Sequence, residues 1–478
     1  MIRRMYSRLA SAVLAWSLLT SPVLAQRISF IRDAEIENTI RAYAAPVFTA
    51  AGLNANDIGV HIINDRSLNA FVANGLNLYI NSGTLLQADS PLQVIGVMAH
   101  ETGHIAGGHL ARFRDSMQGA MEQSIVAMVL GAAIMAAGGR SGGQAGAGVM
   151  SAGTQVGVRS FLQYSREMES QADQAGCNFL ERAGLSARGL ADFLQKIEGE
   201  ELLEPSQQDP YVRTHPITSE RVDFVRNFVA HQAHGKADVS PQLWDMHRRM
   251  QAKLLGYLDP SRTLQAYKPG TFKCSLPTAL VNPTDASNKF TVCTDADVKS
   301  VARAAQYGRA IAYAQQTHFA QGLAEMDGLL QDQPNDPYYL EEKAQILFDS
   351  GKVADSVPLY GQAVSLRPNE PLIRVELAQA QLGTDRADLL PDAIKNLEQV
   401  KQQTPENGDA WRLLAVAYGR DGQLGLAALA QAELESLRGQ RAAARTFAER
   451  AQKQLKPGSA AWLRADDIKN ANPPDKEK

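Results

Sequence analysis

The chain has 478 residues, 45% of them hydrophobic and 21% charged, the balance of an ordinary folded protein and long enough for two or three domains. Its formal net charge of -3 excludes the basic footprint of a nucleic-acid-binding protein. Disordered and fibrous classes are excluded on the same composition.

Residues 1–25 read as a secretory signal peptide. Arg3, Arg4 and Arg8 precede the apolar run from Leu9 to Leu19, and Val23 and Ala25 precede Gln26 at the expected cleavage position. The run is too short to span a bilayer, and Gln26 instead of a cysteine argues against a lipid anchor there. Removing this segment leaves 45 basic against 51 acidic groups. A soluble, exported protein with at most peripheral membrane association and no nucleic-acid partner is expected.

Residues 27 to about 115 mix helical and strand patterns. Arg32 to Ala50 has the apolar spacing of a helix. Ile58 to Ile63 and Leu76 to Ile80 read as strands, the second entered through the Asn74-Gly75 turn signal. Pro91 opens a strongly apolar helix, where proline suits the first turn. From 116 to 160 an apolar stretch, Ile125 to Ala137, runs into a Gly, Ala and Ser-rich one. A buried hairpin, a mobile lid and a surface-dipping segment are open readings. Glycine hinges and apolar cover favour the first two.

The chemistry begins at His100-Glu101-Thr102-Gly103-His104. On a helix, positions i and i+4 share a face, so both imidazoles can reach one ion, while Glu101 can contact a water instead of the metal. The surrounding Val94, Ile95, Val97 and Met98 predict burial, which two unpartnered histidines and a glutamate would resist. A catalytic zinc site needs a third protein ligand. The histidine that metzincins place six residues after the second is Leu110 here. His109, about 140° around an ideal helix from His104, is expected to point away, as an outer or packing residue. Further on, Glu169 and Asp173 are four apart, so a helix presents both carboxylates on one face. One can bind a metal while the other fixes a ligand histidine's tautomer. Surface salt-bridging is the ordinary use of such a pair, and spacing alone does not choose between them. Cys177, in the same helical stretch, reads as buried and inert.

The connecting stretch to about residue 300 holds Cys274 and Cys293 around a segment rich in Pro, Thr, Asn and Ser. In an oxidising compartment they could close a loop, but spacing does not establish a disulfide. From about 303, Asn335-Asp336-Pro337 recurs as Asn369-Glu370-Pro371, 34 residues on, and Pro405 follows. Ala344, Gly351, Ala354 and Ala363 are expected where helices cross, and Trp411, Leu414 and Tyr418 resemble the aromatic and leucine positions of a tetratricopeptide unit. Stacked repeats of that kind offer a concave surface to partners.

Three segments together, His100 to His104, Ser165 to Asp173, and Thr214-His215-Pro216 with Glu220-Arg221, resemble one family. It is the HExxH zinc peptidase family of the integral-membrane CAAX prenyl proteases and the bacterial heat-shock protease HtpX, here in its soluble periplasmic branch. The resemblance implies one Zn2+ per chain on His100, His104 and Glu169, with Glu101 catalytic and Asp173 as helix companion. It further implies His215 as a loop histidine able to approach the zinc, Arg221 near the oxyanion, and Asn69-Ala70-Phe71 followed by Leu76 to Ile80 as the active-site edge strand. By itself His215 reads equally as a surface histidine.

The fold expected is mainly α with a small β-sheet: an α+β zincin-type peptidase domain, then an α-solenoid of tetratricopeptide repeats. The expected limits are 1–25 signal, 26–240 peptidase, 241–302 connecting segment, 303–460 repeats and 461–478 tail. The function implied is a periplasmic zinc endopeptidase acting on polypeptides, by resemblance outer-membrane proteins and their assembly machinery. The alternative is a repeat-based chaperone or scaffold in which proteolysis is secondary.

Overall fold

The computed structural model describes residues 29–73, 75–109, 111–112, 166–198, 203, 208, 210–269 and 294–473. The signal segment 1–25, the stretch 116–160, and Cys274 and Cys293 lie outside them. The described protein is mainly helical with one small sheet.

The sheet has four strands, β1 (Phe30–Ile31), β2 (Gly59–Ile63), β3 (Ala70–Ala73) and β4 (Asn77–Asn81), in the order β1-β2-β4-β3. Strands β2 and β4 are parallel, pairing Val60 with Leu78 and Ile62 with Ile80. These four side chains are buried on the face that meets helix α1 (Ala34–Ala50). Helix α1 starts where the Asp33 side chain accepts from the Ile36 amide at 2.8 Å. The expected edge segment is corrected in one respect. β3 forms the edge, antiparallel to β4, and β4 lies inside the sheet between β2 and β3.

After the short α2 (Ser82–Gln87), helix α3 (Pro91–Gly107) forms the spine of the core. Ser90 caps it, Pro91 occupies the first turn, and Gly108 ends it at φ 63°. Two helices pack closely on α3 because each contact sets a glycine against the backbone of the other helix. A Cβ on Gly96 would lie 2.5 Å from the Leu190 amide, and one on Gly189 would lie 1.9 Å from the Leu92 carbonyl oxygen. Those contacts seat α5 (Arg188–Ile197). Farther along α3, a Cβ on Gly103 would lie 2.5 Å from the Ala172 carbonyl oxygen, and one on Gly176 would lie 3.0 Å from Ala99. Those seat α4, residues 166–182.

A short α6 (Pro210–Thr214) and α7 (Ser219–His231) complete this region. Helices α8 (Pro241–Leu258), α9 (Pro260–Ala266) and α10 (Asp295–Gln315) follow. Met250, Leu254, Tyr267, Val301 and Ala304 share one buried core with α1 and α3. The expected boundary at 302 falls inside α10.

Helical hairpins then succeed one another: α11 (Phe319–Asp332), α12 (Pro337–Asp349), α13 (Val353–Leu366), α14 (Pro371–Gly383), α15 (Leu390–Gln403), α16 (Gly408–Arg420), α17 (Leu424–Leu437), α18 (Arg441–Gln454) and α19 (Ala460–Ala471). The recurring motif has a physical cause. The Asp336 side chain accepts from the Tyr338 and Tyr339 amides, and Glu370 caps α14 likewise, each just before a first-turn proline. Ala344 and Ala363 are buried at helix contacts. Gly351 instead makes a turn at φ 82°, and Ala354, expected at a crossing, is exposed in the first turn of α13.

Candidate metal centre

The close approach of α3 and α4 decides what meets at the centre. His100, Glu101 and His104 descend from α3, Glu169 and Asp173 from α4, and His215 from the loop after α6; all six are buried. His100, His104, Glu169 and His215 each offer one donor atom, and these four atoms lie within 4.8 Å of one another. The two Nε2 atoms of His100 and His104 are 3.0 Å apart. Glu169 Oε2 is 3.3 Å from His100 Nε2, and its Oε1 is 3.3 Å from His104 Nε2. A tetrahedral zinc with bonds of about 2.0–2.1 Å to nitrogen and oxygen sets its donors about 3.3 Å apart. The donor types and spacings therefore fit a divalent ion of that kind.

The surroundings fix each donor. Asp173 Oδ1 is 2.8 Å from His100 Nδ1, which makes Nδ1 the protonated nitrogen and leaves Nε2 a lone pair for a metal. His104 has a similar support, though not where helix geometry put it. The helix stops at Gly107, and the left-handed Gly108 turns the chain. His109 Nδ1 consequently lies 3.0 Å from His104 Nδ1 instead of pointing away. Arg221 is held among acceptors of this cluster. Its Nε and Nη2 donate to Asp173 at 2.6 and 3.0 Å, and Nη1 donates to the Pro216 carbonyl at 2.7 Å. Nη1 is also 3.1 Å from Glu169 Oε2, so the guanidinium faces both carboxylates.

His215 lies over the donors. Its Nδ1 is 3.2 Å from both Glu169 oxygens and 3.4 Å from His100 Nε2. Its Nε2 is 3.5 Å from Glu101 Oε1. His215 Nε2 and both Glu101 oxygens are buried and lack hydrogen-bond partners among the described residues. Unsatisfied groups of this kind are rare in folded proteins and mark places where a ligand or water is held. Tyr211, which gave no signal in the sequence, stacks on the His215 ring with centroids 4.6 Å apart and is itself packed edge-on by Phe193. Its position four residues before His215 was the one available hint.

Burial disfavours charge throughout, and neighbours decide each outcome. It lowers His104 to about 3. At His100 burial is outweighed by hydrogen bonds to Asp173 and Glu169, which raise it; the two carboxylates favour positive charge there, which a cation on Nε2 would supply in place of a proton. Glu101, with no donor, is pushed up by burial. Glu169 stays well below the ordinary carboxylate value, the three histidines overcoming burial, and Arg221 with His100 does the same for Asp173. Cys177 is a buried free thiol pushed up by burial.

Comparison with known proteins agrees with this geometry. Residues 30–229 match the family described as "Peptidase family M48". The chain is 27% identical over 409 residues to the "Beta-barrel assembly-enhancing protease" of Escherichia coli (strain K12), covering 85% of this chain and 76% of that one. It is 28% identical over 418 residues to the protein of the same name from Yersinia pestis, covering 86% and 79%. Over 228 residues it is 28% identical to "Metalloprotease LoiP" of Escherichia coli (strain K12), covering 46% of this chain and 84% of that one.

Proposed function

We propose, from the match of residues 30–229 to peptidase family M48 and the likeness to named metalloproteases, that this metalloendopeptidase is a zinc enzyme of the periplasm acting in outer-membrane protein quality control. The observation that carries the catalytic part is the convergence of four buried donor atoms within 4.8 Å. The similarity to β-barrel assembly-enhancing proteases supports the substrate class and location, and among the described residues no helix is long and apolar enough to cross a membrane.

In this reading His100, His104 and Glu169 hold the zinc. When bound, zinc supplies Lewis acidity, lowering the pKa of a water towards neutrality and polarising the scissile carbonyl. Glu101 receives the water's proton on its carboxylate and returns it to the leaving amine. Asp173 and His109 hold the two imidazoles in register through their Nδ1 atoms. Arg221 keeps Asp173 and Glu169 ionised and aligned, a positioning role in place of oxyanion binding. His215, lying against Glu169 and His100, acts as a latch that must move for a substrate to approach. Residues 26–240 form the zincin-type peptidase domain, the helical hairpins of 303–460 are tetratricopeptide repeats that engage partners, and 241–302 ties the two.

The test is metal analysis of the purified chain with casein hydrolysis before and after chelation by 1,10-phenanthroline. One zinc per chain, loss of hydrolysis on chelation and recovery on adding zinc are expected. Undiminished hydrolysis by the metal-free protein would overturn the reading.

A further inference from the structure

Where the repeats meet the peptidase region, charges are unevenly matched. Helix α8 carries two buried bases there. Arg249 is ion-paired: Nε lies 2.7 Å from Glu35 Oε1 and Nη1 lies 2.6 Å from Asp336 Oδ2. Lys253 Nζ is held by Asp33 at 2.7 Å, with Glu35 and Glu342 at 3.6 and 3.7 Å. Beside Lys253 opens a cavity of about 460 Å³ between α8, the start of α1, and helices α12 and α14. Five carboxylates line it, from Asp33, Glu341, Glu342, Asp349 and Glu376, against two bases, Lys253 and Arg32. Arg32 is already paired with Glu37 at 2.7 Å.

The excess is not silent. Glu341 is only 4% exposed, and its Oε2 and that of Glu376 have no hydrogen-bond partner among the described residues. Buried carboxylates in that state are costly, and a cation entering the cavity would relieve the cost. Burial raises Glu376 to about 8 and Glu342 to about 7, a sign that the resident bases do not balance the acids.

Two features choose the cation. Among the described residues the one group of donors converging tightly enough for a metal ion is the histidine-rich centre, so these carboxylates are too dispersed to grip a bare ion. The cavity also has apolar walls, Ile31, Ile36, Leu254 and Leu258, suited to the methylene stem of a long basic side chain. We propose that this cavity receives a lysine or arginine side chain of a bound polypeptide, a recognition site separate from the metal centre and contributed by both regions. It rests on the reading of the protein as one that engages polypeptide substrates.

The experiment uses the full chain carrying Glu101→Gln, so that binding is read without cleavage. The probe is a fluorescein-labelled peptide of alternating glycine and arginine, followed by anisotropy, beside the same peptide with citrulline replacing arginine. The arginine peptide should bind at least about tenfold more weakly when Glu341→Gln and Glu376→Gln are added, and citrulline should cost about as much. Equal binding by the double variant, or of the citrulline peptide, overturns the proposal. Protection against thermal unfolding by calcium or magnesium that disappears in the double variant, without an arginine-dependent difference, overturns it in favour of a metal ion. Asp349→Asn at the same cavity gives a second reading and should weaken the arginine peptide in the same direction. Should the wild type cleave nothing, the peptidase reading fails while this binding difference stands or falls by itself.

Discussion

Glu101 is the side chain on which the proposed chemistry can be isolated from metal binding. Its oxygens are buried, lack hydrogen-bond partners among the described residues, and are no part of the four-donor group. Glu101→Gln keeps the shape and removes the ability to take a proton. It should retain stoichiometric zinc while casein hydrolysis falls by about 10²–10⁴-fold; turnover near that of the wild type refutes the base assignment. His215 makes the opposite prediction. Its Nδ1 presses on Glu169 and His100 at 3.2–3.4 Å, so it occupies space beside the donors that a substrate would need. His215→Ala should raise basal casein hydrolysis with zinc retained, and unchanged or lower hydrolysis discards the latch. At this scale the sequence was legible for a specific reason: positions four apart on a helix must share a face, which foretold the meeting of His100 with His104 and of Glu169 with Asp173. It could not foretell His109, whose position depends on a single left-handed residue, Gly108, ending the helix before ideal geometry carries the ring away. Nor could it reveal that Arg221 is consumed by Asp173 and a backbone carbonyl, because that contact spans 48 residues.

Between elements, the centre depends on how closely α4 can approach α3. Local pattern announced both helices, yet glycine in a helix reads as a weakness of about 1 kcal/mol relative to alanine. The reason for Gly103 and Gly176 lies across the contact, in backbone that a Cβ would meet at 2.5 and 3.0 Å. The same blindness applies to β1 and β3, whose lengths of two and four residues are too short for alternation to register. Gly103→Ala therefore tests the packing against propensity. Propensity alone predicts a gain in stability; the Ala172 carbonyl 2.5 Å from the new Cβ predicts that α4 is pushed outward, carrying Glu169 from the two imidazoles. Weaker zinc retention in a chelator competition and a melting temperature lower by several degrees are expected, about 1–3 kcal/mol of overpacking cost. A variant that melts higher and holds zinc as tightly would show that the helices have room to spare.

Across the whole molecule, the junction where α1 and α8 meet helices α12 and α14 should make stability depend on pH. Glu341 and Glu342 face it from α12, Glu376 from α14, Lys253 and Tyr257 from α8, and Asp33 from the start of α1. Burial raises Glu376 from an ordinary 4.5 to about 8, against the pull of Lys253, and raises Glu342 to about 7. A carboxyl whose pKa is higher folded than unfolded keeps its proton in the folded chain over the range where the unfolded chain has lost it. Stability linked to these groups is thus complete below about pH 4.5 and declines as pH rises towards about 8. Glu376→Gln fixes the protonated character permanently. It should leave the melting temperature nearly unchanged at pH 5 and raise it at pH 8.5, at about 2–4 °C per kcal/mol of relieved repulsion. Thermal scans of both chains with saturating zinc at the two pH values measure the difference, the metal being held constant because bound ligand itself shifts the melting point. An equal shift at both pH values would assign the effect to packing, and a loss of stability confined to pH 8.5 would mean that the Glu376 carboxylate holds the junction together through Lys253. The expected sign follows from geometry: Lys253 is closest to Asp33, at 2.7 Å, so its pull on Glu376 offsets only part of the effect of burial.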